Sequence, residues 1–140
     1  MNVQQPVITA PQLAEQRLMR AAIIGKRCLG MWTAHDVETD EPLQRAPIVF
    51  QLEDGELAVY NDVQRGTLLA LNRFNLDIPI TKDERTYTYF FSPLPEQPTI
   101  EQLFVCEEGF AFTYDDQYVA VLSGELRLAG VDELYEWERV

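Results

Sequence analysis

One histidine, two serines and two cysteines are all that the 140-residue chain offers of the side chains that most often do chemistry. The histidine is His35, and a zinc site built on it would need cysteine and acidic partners from distant parts of the chain, which no spacing suggests. Ser92 precedes Pro93 and Ser123 sits in the turn "SG"; neither lies in a G-x-S-x-G context. No glycine-rich phosphate loop is present. Cys28 and Cys106 form no C-x-x-C pair and read as reduced thiols, small side chains of a core. Apolar runs such as Ala21 to Ile24 are far too short to span a bilayer. The N-terminus shows no charged region followed by an apolar one, so no secretion signal is visible and the expected location is cytoplasmic. No catalytic residue, metal or cofactor is expected, and no membrane association.

Basic side chains are also scarce, and their placement is uneven. Residues 1–30 hold Arg17, Arg20, Lys26 and Arg27 against Glu15, a charge of +3, within a total of −12. Residues 31–140 therefore carry −15. Such a body repels phosphate backbones, which excludes nucleic acid as a partner. Its acids keep the protein soluble by self-repulsion, or they present carboxylates to a basic protein. "HDVETDE" sets Asp36, Glu38 and Asp40 at the first, third and fifth positions of a calcium loop, but Glu41 stands where glycine is needed and Pro47 where glutamate is needed. It reads as a solvated acidic loop. The pairs Glu107–Glu108 and Asp115–Asp116 fall in hairpin turns, where acids are at home.

What is present is the periodicity of one mainly β domain over residues 1–140. Residues 1–8 read as a flexible arm. Thr9 and Gln12 form a capping-box pattern with Pro11 in the first turn, and Ala14, Leu18, Ala21, Ala22 and Gly25 recur at helical spacing. This predicts one α-helix over residues 10–27, with Lys26 and Arg27 at the negative end of its dipole. After Trp32 the period becomes two. Ile48, Phe50 and Leu52 alternate with Val49 and Gln51, "EDG" turns, and Leu57 and Val59 continue. "RTYTYFF" puts Tyr87, Tyr89 and Phe91 on one face. Three prolines in "SPLPEQP" break the pattern, and a meander with turns at "EEG", "DDQ", "SG" and "GVD" leads to the terminal strand "LYEWERV". Eight or nine short antiparallel strands over residues 31–140 predict a meander barrel or a sandwich, plugged or flanked by the helix.

Aromatics fill the alternating positions of these strands. Tyr87, Tyr89, Phe91, Phe110, Phe112, Tyr114, Tyr135 and Trp137 make one inner set. Two roles are open to it: a packed core, or a cup for a small apolar ligand with a few hydroxyls. Arg73, after "LLALN", is either a surface strand residue or a partner for a ligand carboxylate.

The stretch "GKRCLGMW", with a helix-like segment leading into Gly30-Met31-Trp32, resembles the G-x-W motif that opens the first strand of lipocalins and other calycins. "TYDDQYVAV" is similar to their T-D-Y motif in a different order, and "YEWERV" ends the chain. The resemblance implies a calycin-like antiparallel barrel whose closed end is stoppered by Trp32 beneath Arg139. Gly30 would turn the chain into the first strand, and a guanidinium over the indole would contribute about 0.5–2 kcal/mol. It also implies a non-enzymatic protein that holds a small hydrophobic ligand. The alternative is an acidic interaction module, an inhibitor or immunity-type partner of a basic protein.

Overall fold

The structure, a computed structural model, describes residues 7–72, 74–123, 125–130, 134 and 136–140. The chain starts with β1 (Ile8–Thr9), a 3-10 helix (Ala10–Glu15) and α1 (Arg17–Ile23). Then come β2 (Cys28–Asp36), β3 (Ile48–Leu52), β4 (Gly55–Asp62), β5 (Gly66–Leu71), β6 (Ile80–Lys82) and β7 (Arg85–Pro93). After the proline-rich crossing come β8 (Gln102–Cys106), β9 (Gly109–Tyr114), β10 (Gln117–Leu122), β11 (Glu125–Gly130) and β12 (Glu138–Arg139). Among the described residues no helix is long and apolar enough to cross a membrane.

The expected mainly β, antiparallel architecture is present. Its strands form two sheets, a curled seven-stranded one ordered β1-β5-β4-β3-β2-β7-β6 and a five-stranded one ordered β11-β10-β9-β8-β12. A single closed barrel of eight or nine strands is not seen among the described residues. β2 to β5 follow one another as a meander, and β7 then returns to pair with the free side of β2, Trp32 opposite Phe91 and Asp36 opposite Tyr87. The terminal strand departs from expectation. It does not extend the meander beyond β11 but crosses to pair with β8, Arg139 opposite Phe104.

The pleat decides what each sheet buries. In β3, Ile48, Phe50 and Leu52 enter the space between the sheets, and Val49 points to the outer face. From the facing sheet, Leu103, Val105, Phe110, Phe112, Val119 and Val121 fill the same space. Phe50 meets Phe112 edge-on at 5.3 Å between ring centroids. The N-terminal segment adds Leu13, Met19 and Ile23 to this core.

That segment is not the single helix expected over residues 10–27. It is a six-residue 3-10 helix followed by a seven-residue α-helix, separated at Gln16. Arg20 donates through Nη1 to the carbonyls of Leu13 and Ala14, satisfying groups at the break that an unbroken helix would have paired itself. Of the capping-box pattern, the backbone N–H of Thr9 donates to Oε1 of Gln12 at 2.9 Å. Gly25, with φ of +84°, carries the chain out of the helix, and Gly30 lies inside β2 at a bulge. A Cβ on Gly30 would run into the Ser92 carbonyl and the Phe91 ring, so glycine is needed there for close approach rather than for a turn. Lys26 and Arg27 stand beyond the helix, and pair with Asp54 at 2.7 Å and Glu53 at 3.8 Å.

Candidate functional site

The aromatics grouped by sequence on one inner face are divided among three faces. Tyr87 and Tyr89, with Trp32, Tyr60 and Phe74 beside them, belong to the outer face of the seven-stranded sheet, and Phe91 meets Trp32 at 5.1 Å between ring centroids, tilted by 51°. Phe110 and Phe112 lie between the sheets with no exposed surface, and Tyr114 flanks them. The space expected to form a cup is therefore packed with side chains where Phe110 and Phe112 stand. Arg73 and Tyr135 lie outside the described residues. Trp137 packs on the outer face of the five-stranded sheet, against a cluster of Ala111, Tyr118 and Ala120.

Trp32 and Arg139 are not brought together. Trp32 is on the outside of one sheet, and the exposed Arg139 is on an edge strand of the other, opposite Phe104 of that sheet's own outer cluster. In place of a guanidinium, the indole has the Phe91 ring on it and donates from Nε1 to Gln51 Oε1 at 3.1 Å. The expected stopper is corrected accordingly: two residues on opposite outer faces cannot stack.

Two of the concave sites among the described residues border β2. The first is a crevice of about 320 Å3 where the sheets part, lined by Thr33, Ala34, residues 42–48, Glu125 and Leu126. Its apolar wall comes from Pro42, Leu43, Ala46, Pro47 and Ile48, with Leu126 facing them. The rim is held in place. Leu43 N donates to Ala34 O at 2.9 Å, Pro42 bridges to His35, and the Tyr89 hydroxyl donates to Pro47 O at 2.7 Å. Thr33 Oγ1 lies 2.8 Å from His35 Nε2, so the one histidine serves to hold a threonine of the lining. The charged side chains among the described lining residues are Arg45 and Glu125.

The second is a wider cleft of about 520 Å3 on the outer face, lined by Trp32, Glu56, Asn72, Phe74, Asn75, Leu76, Asp77 and Tyr89. Burial pushes the Tyr89 phenol up, and nearby Tyr60 adds to the shift, so it stays a neutral donor to Pro47.

The acidic loop "HDVETDE" meets the β6–β7 turn. Val37 N donates to Thr86 O at 3.0 Å, and Arg85 Nη1 lies 3.6 Å from both Asp36 Oδ2 and Glu41 Oε2. The Glu38 backbone N–H, donating to Asp36 at 2.8 Å, is the main reason that the Asp36 carboxyl lies below its ordinary range. No set of three or more His, Cys, Asp or Glu side chains among the described residues is arranged to hold a metal. Burial pushes the Cys28 thiol up to about 11, in keeping with its expected place as a small core side chain.

Sequence reasoning missed Phe74 and the whole 42–48 wall. The available signal was Pro42 and Pro47 bracketing "LQRA", a stiff segment between two strand patterns. Neither a family model, nor a curated protein, nor a solved structure matches the chain.

Proposed function

We propose that this is a cytoplasmic, non-enzymatic binding protein, calycin-like in using a curled antiparallel sheet to hold a small hydrophobic ligand. The supporting observation is the apolar crevice between the 42–48 segment and Leu126. At about 320 Å3 it is near the lower end of the usual range for ligand sites. Its rim is stiffened by two prolines and tied down by Tyr89, so little ordering is needed on binding. A ligand of about 15 non-hydrogen atoms at about 0.3 kcal/mol each would bind with a dissociation constant of a few tenths of a millimolar. The test is titration with the apolar dye 1-anilinonaphthalene-8-sulfonate. Saturable fluorescence is expected, and Leu126→Arg should abolish it while the unfolding midpoint stays near that of the parent. Dye binding that Leu126→Arg leaves unchanged sinks the reading.

A second reading, the acidic module that binds a basic protein, draws on a different observation. Asp36, Glu38 and Glu84 line one hollow of about 160 Å3 in which Arg85 is the one cation among the described lining residues, and Val37 beside them is 53% exposed. A partner captured from native extract should then bind less tightly as salt rises, and lose most affinity to Glu38→Lys with Glu84→Lys. A partner whose binding ignores both changes would remove this reading.

A further inference from the structure

The outer cleft differs from the crevice in chemistry, and nothing in the ligand reading above uses it. Three rings contribute to its lining: Trp32, Phe74 and Tyr89. Each is held from behind by a contact that fixes its orientation. The Trp32 indole N–H is engaged by Gln51, whose own amide donates to the carbonyls of Leu52 and Gly55 at 3.2 Å. The Tyr89 hydroxyl is engaged by Pro47 O. Phe74 is wedged edge-on between Tyr60 at 6.0 Å and Tyr89 at 5.1 Å. The polar handles of Trp32 and Tyr89 are therefore spent on the protein itself, and from these residues a ligand in the cleft meets ring surface rather than donors.

The rings also stand at an angle. Phe74 and Tyr89 are inclined by 75° to one another, which makes a corner. A flat sugar or a planar aromatic seeks one open platform; a corner receives a compact, rounded group against two ring surfaces at once. Around it, the charged side chains among the described lining residues are both acidic, Glu56 and Asp77, with the amides of Asn72 and Asn75 between them. The acidic body, −12 in net charge for the whole chain, draws cations towards such a site. Ring faces attract cations by their quadrupole, and more strongly for a cation that sheds little water on binding. Methylated ammonium groups have that property; a bare lysine ammonium, which is strongly hydrated, does not.

The geometry points to the outer cleft as a binding site for a compact organic cation of the quaternary or methylated ammonium class. The cation sits in the corner of Phe74 and Tyr89 with Trp32 as a third surface, and Glu56 and Asp77 neutralise it from the rim.

The experiment compares choline with 3,3-dimethylbutan-1-ol, which has the same shape with carbon in place of the charged nitrogen. Calorimetry measures affinity, and the indole N–H resonance of Trp32 locates the site. Choline is expected to bind saturably and shift that resonance, with the neutral analogue weaker by about tenfold or more. Glu56→Gln with Asp77→Asn, both at the rim of the fold, should weaken choline several-fold and leave the neutral analogue unchanged. Phe74→Leu should weaken choline while retaining an apolar filler. Equal affinity for the two compounds overturns the inference, since the cleft would then read shape alone. A Trp32 resonance that does not move when choline reaches tens of millimolar overturns it too. Because the crevice is lined by other residues, dye binding there is unaffected by either result.

Discussion

On the inner face of the seven-stranded sheet stand Phe50, Leu57, Val59 and Leu69, hydrocarbon throughout and closed off by the second sheet. On the outer face stand Trp32, Tyr60, Tyr87 and Tyr89, apolar bodies that mostly carry a polar atom, around a floor of Ala34, Val49, Ala58 and Ala70. Both faces are apolar, yet only the inner one is covered by a sheet. The outer one is covered in part by the segments holding Leu43, Ala46, Phe74 and Leu76, and a cleft remains. Small residues on the floor leave room for rings above it, and the polar atoms of Trp32 and Tyr89 anchor to the Gln51 amide and the Pro47 carbonyl at the margin. The covered face and the face left with a cleft thus differ less in hydrophobicity than in residue size and in where the hydroxyls and N–H groups go.

The contrast is broken or sharpened most strongly by truncating one ring on each face. Phe112→Ala on the inner side should destabilise the fold by about 3–5 kcal/mol, read as a fall in the urea midpoint. Phe74→Ala on the outer side, half-buried beside an open cleft, should cost about 1 kcal/mol. Equal losses would mean that the outer face is core as well. A smaller effect is expected from Tyr89→Phe, which removes the donor to Pro47 O: about 0.5–1.5 kcal/mol of stability, with weaker dye binding because the crevice rim loosens. Unchanged dye affinity would separate the two sites.

The smallest effect is a pH dependence. Asp36, at the far end of β2 and 4% exposed, has its folded pKa lowered chiefly by the Glu38 N–H. A depressed folded pKa stabilises fully above the ordinary aspartate value of about 3.9 and is lost as pH falls through the folded value. Asp36→Asn should therefore be less stable than the parent at neutral pH, and the gap should narrow below about pH 4. A gap constant down to acid pH would show that the carboxylate's charge is not what matters.

Much of the local structure was legible along the chain. The β3–β4 turn at "EDG" and the β9–β10 turn at "DDQ" fall where the acids and glycine suggested, and Tyr87, Tyr89 and Phe91 do share a face. These are short-range facts: a pleat alternates whatever lies above it. The helix was half legible. Apolar spacing singled out Leu18 and passed over Met19 and Ile23, yet in the fold Leu18 is 75% exposed while the other two are fully buried. The two sites were hardly legible at all, because their walls come from Pro42 to Ile48, Phe74 and Leu126, residues that no period links.

By itself the sequence determined that the protein would be an acidic, antiparallel β domain with an N-terminal helical segment, because propensity, turn chemistry and a two-residue period act over a few neighbouring residues. Only the tertiary structure decided that β7 returns to β2, that the last strand crosses to β8, and which side of "RTYTYFF" faces out. An alternating strand offers two faces, and which becomes interior depends on the sheet that packs against it. The second sheet covered Phe50 and left Trp32 and Tyr89 outside, with a cleft in front of them.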